Sequence, residues 1–220
     1  MWANQIGGWR LMVLAPISGE GPPPVKALPN ILTIARIGLA ALVFFLLAGA
    51  SGVLPGQAGP PTSASALIWA SFFLFILAAV TDYFDGWLAR KLGATSPWGA
   101  VLDPIADKIA VAAAILGLVV LAPRGSLPLP GFLILFREVF VSGLREGVAP
   151  RGVRLPVTQL AKWKTTLQLV ALALEMPATL TPYASPLRVG ADLLLWVAAL
   201  VTLWTGVEYL RGAIKALRPV

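Results

Sequence analysis

Leu67-Ile68-Trp69-Ala70-Ser71-Phe72-Phe73-Leu74-Phe75-Ile76-Leu77-Ala78-Ala79-Val80 runs without a charge into Asp82-Tyr83-Phe84-Asp85-Gly86-Trp87-Leu88-Ala89-Arg90. Eight residues later comes Gly99-Ala100-Val101-Leu102-Asp103-Pro104-Ile105-Ala106-Asp107. The apolar run reads as a membrane helix. Carboxylates at the end of such a run are costly unless partnered, and a divalent metal is the obvious partner. Four of the ten acidic residues of the chain lie in this stretch.

The rest of the chain supports a membrane setting. Of its 220 residues 58% are hydrophobic and only 12% charged, more apolar than a soluble domain. Long apolar runs recur, so the fold class is all-α: a polytopic membrane protein. There is no cysteine, which excludes disulfides, zinc–thiolate sites and thiol nucleophiles. There is no histidine either. Carboxylate and water ligands remain, and these suit Mg²⁺, Mn²⁺ or Ca²⁺. The net charge of +7 fits contact with anionic lipid or a phosphorylated substrate. Nucleic acid is a poor partner, because most of the cations flank apolar spans and form no soluble basic face.

Six segments are expected to span the membrane: 28–49, 66–90, 99–122, 129–148, 156–176 and 187–210. Residues 1–27 read as an interfacial or disordered N-terminal extension, and 28–220 as the transmembrane domain. Arg90, Lys91, Arg145, Arg151, Arg154, Lys162, Lys164, Arg211, Lys215 and Arg218 favour one side. The opposite connections hold only Arg124 and Arg188. The positive-inside rule then places both termini and the second and fourth connections in the cytoplasm. Segment 66–90 is about 37 Å long at about 1.5 Å per residue, and a hydrocarbon core is roughly 30 Å thick. Its acidic end therefore approaches the cytoplasmic interface.

Asp82 and Asp85 are three apart, and Asp103 and Asp107 four apart, so on helices each pair shares a face. A tight connection around Gly93 to Pro97 is expected to bring the two faces together. Four carboxylates can hold two divalent ions, an arrangement suited to displacement at phosphorus. Gly86 and Gly99 leave room for a bulky substrate beside them, and Arg90 offers a fork of donors for phosphate. One of the four aspartates is the natural general base toward an attacking hydroxyl. A solvated helix face is a poor account of four membrane-embedded carboxylates. A transporter's proton or cation relay is the stronger rival, but it predicts carboxylates near the midplane on broken helices. These cluster at one end.

Asp82, Asp85, Gly86, Ala89, Arg90, Gly99, Asp103 and Asp107 resemble the signature of the CDP-alcohol phosphotransferases without a departure. The resemblance implies six transmembrane helices around a cytoplasm-facing polar metal site, a homodimer, and two divalent cations, Mg²⁺ or Mn²⁺. It implies transfer of a substituted phosphate from a CDP-linked donor to an alcohol, with release of CMP. Asp82, Asp85, Asp103 and Asp107 would be the metal ligands, and Asp107 also the base. Asn30, Thr33, Gly86, Ala89, Arg90, Ser96 and Gly99 would meet the CDP donor.

Pro29-Asn30-Ile31-Leu32-Thr33-Ile34-Ala35-Arg36 looks like the first-helix entry of that family. Arg137-Glu138-Val139-Phe140-Val141-Ser142-Gly143-Leu144-Arg145-Glu146 and Lys162-Trp163-Lys164-Thr165-Thr166-Leu167-Gln168 are similar to the bacterial phosphatidylglycerophosphate synthases. That subgroup implies CDP-diacylglycerol as donor, glycerol 3-phosphate as acceptor and the bacterial inner membrane as location. The residues agree: a dianionic acceptor needs cations of its own, and Arg137, Arg145, Lys162 and Lys164 supply them near the same edge. Plain positive-inside anchoring is the alternative, least suited to Arg137, which sits deeper in its span. Glu138 and Glu146 are expected to orient these arginines. Inositol phosphate, serine or phosphatidylglycerol remain alternative acceptors.

Overall fold

Prolines mark where the helices begin. The computed structural model describes residues 24–92, 97–123, 125–151 and 159–217; within these, the side chains of residues 24–29, 83, 85–92, 97, 100, 151 and 159–162 lie outside the description. The elements are α1 (Pro24–Ser51), α2 (Ala64–Leu92), α3 (Pro97–Leu121), α4 (Pro128–Val148), α5 (Gln159–Ala178) and α6 (Pro186–Leu217), with a 3₁₀ turn at Ala149–Arg151. α1, α3, α4 and α6 each open on a proline, whose fixed φ suits the first helical turn and whose missing N–H costs nothing there. No strand occurs among the described residues.

The six helices follow the six expected segments closely, with two extensions. α1 starts at Pro24, inside the expected N-terminal extension, and α6 runs on to Leu217, carrying Arg211 and Lys215 on its last turns. Residues 1–23 and 156–158 of those expectations fall outside the described residues. Among the described residues, four helices are long and apolar enough to cross a membrane, through Asn30–Ser51, Ala64–Asp82, Val101–Leu121 and Pro186–Leu217. α4 and α5 are interrupted by Arg137, Glu138, Arg145 and Glu146, and by Lys162, Lys164 and Glu175.

α1 lies between α2 and α3 and packs along both, whereas α2 and α3 barely touch. The expected meeting of the acidic faces of α2 and α3 is arranged through α1, whose Arg36 bonds both Asp82 and Asp107. Small side chains explain the seat of α1: Ala40 of α1 is buried with Ala110 and Ala113 of α3. Farther along, Leu47 of α1 lies over Gly117 of α3, where a Cβ would come within 2.8 Å of its Cδ1. Close approach through small residues is how helices associate in lipid, where packing replaces the hydrophobic drive. α6 packs against α4 and α5, and α5 against α2 and α3. The shared core includes Phe75, Ile115, Leu118, Leu172, Met176 and Leu195.

Candidate active site

Several of the acidic and basic residues singled out above line one cavity. It has a volume of about 370 Å³, and its lining includes Asp82, Asp103, Asp107, Arg137, Arg145 and Lys164. Asp82 comes from the end of α2, Asp103 and Asp107 from the first turns of α3, Arg137 and Arg145 from α4, and Lys164 from α5. No stretch of sequence brings these together; the helix packing does.

α1 supplies the link between the carboxylates. Arg36 is 2% exposed and donates from Nη1 to Asp82, and to Asp107 Oδ1 at 3.2 Å. Thr33, one turn earlier and also buried, donates its hydroxyl proton to Asp103 Oδ1 at 2.7 Å. The side chains of Asp82 and Asp107 are 45% and 49% exposed. They thus lean on a buried guanidinium and open toward the cavity. Pro104 lies within α3 between the two aspartates, and has no N–H for the helical ladder.

The basic half is organised around Glu138, which lies inside the bundle. Glu138 Oε1 accepts from Lys164 Nζ, from Arg137 Nη1 at 3.4 Å and from Gln168 Nε2 at 3.4 Å. Gln168 also donates to Thr202 Oγ1 at 2.6 Å. Arg137 Nη2 donates to Thr205 Oγ1 at 3.0 Å. Arg145 Nη2 donates to the Tyr209 hydroxyl at 2.6 Å. Among the described residues, Arg137, Arg145 and Lys164 against Glu138 leave two positive charges in excess on the basic side of the cavity.

Glu138 orients cations as expected, whereas Glu146 is exposed at the surface. Gly99 is buried in the first turns of α3, and Asn30 sits part-buried on α1. Asp85, Gly86, Ala89 and Arg90 lie on the last turns of α2 and Lys162 on the first of α5, but their side chains are outside the described residues, as is all of Ser96. Among the described residues no three carboxylates draw close enough together to hold an ion. The donors present are nonetheless hard oxygens grouped on one wall of a polar cavity, which is the chemistry of a Mg²⁺ or Mn²⁺ site.

Four contributors escaped the sequence reading. Arg36 appears there only as part of the first-helix entry, with no role of its own, and Thr202, Thr205 and Tyr209 as part of an apolar span. The signal for the last three was their i, i+3, i+7 spacing, which puts a polar stripe on one face of α6.

The CDP-alcohol phosphatidyltransferase family model matches residues 26–204. The chain belongs to this family. Among its relatives, a Cereibacter sphaeroides protein named CDP-diacylglycerol–glycerol-3-phosphate 3-phosphatidyltransferase is 42% identical, over 68% of this chain and 85% of that protein. Proteins of the same name from Rickettsia typhi and Haemophilus influenzae are 37% and 36% identical, over 86% and 84% of this chain and 97% and 92% of their own lengths. The family match includes Arg36, the four aspartates, Arg137, Glu138, Arg145, Lys164 and Thr202. It ends before Thr205 and Tyr209.

Proposed function

We propose that the chain transfers the phosphatidyl group of CDP-diacylglycerol to glycerol 3-phosphate, giving phosphatidylglycerol phosphate and CMP. One observation carries this reading. A single cavity has carboxylates on one side and, among the described residues, two positive charges in excess on the other. A CDP-linked donor and a phosphate-bearing acceptor need those two halves side by side. The names of the relatives point to the same reaction.

In this reading the donor's acyl chains lie in the bilayer. Its CDP part meets Asn30, Thr33, Gly86, Ala89, Arg90, Ser96 and Gly99, with the Thr33 hydroxyl also holding Asp103. Asp82, Asp85, Asp103 and Asp107 would hold two divalent cations, Mg²⁺ or Mn²⁺, which neutralise charge on the pyrophosphate and the leaving group. Arg137, Arg145, Lys162 and Lys164 hold the acceptor phosphate. Asp107 takes the proton from the acceptor's primary hydroxyl. That oxygen bonds to the β-phosphorus, the bond from this phosphorus to the bridging oxygen breaks, and CMP departs with that oxygen.

All six helices span the bilayer in this account. Arg137, Glu138 and Arg145 of α4 and Lys164 of α5 line the cavity, and turning charge inward is how charged side chains are accommodated in a membrane. The positive-inside bias puts the cavity and both termini on the cytoplasmic side of the bacterial inner membrane. The protein works as a homodimer. The test is CMP release by purified protein with CDP-diacylglycerol, Mg²⁺ or Mn²⁺, and a panel of acceptors. Release with glycerol 3-phosphate is expected. Release with only inositol phosphate, serine or phosphatidylglycerol would move the acceptor assignment, and no release with any acceptor would sink the enzyme.

A further inference from the structure

Tyr209 has no part in the reaction as derived so far, yet it touches two cations of the acceptor wall. It is 5% exposed on α6 and lines the cavity. The Arg145 and Arg137 guanidinium carbons lie 4.8 and 5.4 Å from the centre of its ring. Its hydroxyl oxygen accepts from Arg145 Nη2 at 2.6 Å. We propose that Tyr209 is a positioning residue that sets specificity for an acceptor carrying a phosphomonoester. This rests on the reading that the basic wall holds the acceptor phosphate.

Tyr209 preorganises the basic wall. Arg145 is exposed, and a free arginine loses considerable rotamer freedom on gripping a ligand. Tyr209 removes part of that cost in advance by holding Arg145 through its ring and its oxygen. Arg137 is fixed from the other side. Thr205 spends its hydroxyl proton on the Thr202 carbonyl at 2.8 Å, so its oxygen is left to accept from Arg137. Gly206, between Thr205 and the turn bearing Tyr209, leaves the space that the Arg137 stem fills; a Cβ there would lie 2.9 Å from Arg137 Cγ. Thr202, Thr205, Gly206 and Tyr209 share one face of α6. That face sets the spacing of the two guanidinium groups. Because the Tyr209 oxygen accepts from Arg145, its own proton remains to be donated to an anion in the cavity. An acceptor without phosphate gains nothing from this arrangement.

The test is Tyr209→Phe, which keeps the ring and removes the hydroxyl. Loss of a hydrogen bond to a charged group predicts a KM for glycerol 3-phosphate raised about tenfold. The turnover number and the KM for CDP-diacylglycerol should stay within about twofold, since the donor half is untouched. Inhibition by inorganic phosphate should weaken in parallel. Unchanged KM for glycerol 3-phosphate would overturn the proposal. So would a joint shift of all kinetic constants with a lowered melting temperature, the mark of a packing role. Arg145→Ala separates this failure from failure of the underlying reading. If Arg145→Ala raises the acceptor KM and Tyr209→Phe does not, Tyr209 alone is misassigned. If Arg145→Ala leaves it unchanged, the basic wall does not hold the acceptor.

Discussion

Arg36 Nη1 on α1 lies 3.2 Å from Asp107 Oδ1 on α3 and also bonds Asp82 on α2. The buried guanidinium therefore fixes two carboxylates that no local geometry holds together. Arg36→Met keeps much of the stem and removes the charge. The two aspartates then repel each other and lose their common anchor. We expect kcat/KM for CMP release to fall by about tenfold or more. Wild-type kinetics in Arg36→Met would contradict the anchoring role.

Glu138 is the one carboxylate among the cations of the basic wall, and its side chain is 16% exposed against 6% for Arg137 and Lys164. Glu138→Gln keeps its shape but removes the counter-charge of Arg137 and Lys164, so that all three cations of the wall stand uncompensated. Removing one partner of a buried pair costs on the order of 3 kcal/mol. The melting temperature in detergent should fall clearly, and activity with it. An unaltered melting curve would mean that Glu138 is dispensable to the wall.

Gly206 leaves no room for a methyl group beside the Arg137 stem. The clash falls on Cγ, so the whole arginine must shift, not its tip alone. Gly206→Ala should cost about 1–3 kcal/mol through overpacking. It should also raise the acceptor KM more than the donor KM. Equal changes in both would show that the strain spreads through α6 without reaching the site selectively.

At the other end of the bundle, Glu175 is fully buried, and neither of its carboxylate oxygens meets a hydrogen-bond donor among the described residues. Asp192, a second carboxylate, is near it, along with Arg188. Glu175→Gln replaces the carboxyl with an amide whose N–H can donate to Asp192. We expect stability to rise by about 1 kcal/mol with CMP release unchanged, read as a higher melting temperature beside a kinetic assay. A lower melting temperature would show that the Glu175 charge is needed there.

The sequence made much of this legible. Pro24, Pro97, Pro128 and Pro186 announce helix starts, because proline is tolerated in a first turn and rarely in an interior. Asp103 and Asp107 were legible because α-helical spacing is a local property. The seat of α1 between α2 and α3 was not. It depends on Ala40 meeting Ala110 and Ala113, and a small residue does not announce its partner. The role of Arg36 was not legible for the same reason: only the packing shows that a cation on α1 faces carboxylates on two other helices. Tyr209 was hidden by context, since an aromatic residue near the end of a membrane helix ordinarily reads as an interface anchor.

The central claim is that one cavity joins a CDP-linked lipid to a phosphate-bearing alcohol. The most direct measurement is transfer of radiolabelled glycerol 3-phosphate into organic-extractable lipid by purified protein with CDP-diacylglycerol and Mg²⁺ or Mn²⁺, beside Asp107→Asn. The account predicts labelled lipid formed mole for mole with CMP, and a loss of about a hundredfold or more in the variant, as for removal of a general base. CMP formed without label in the lipid, or full transfer by Asp107→Asn, would contradict it.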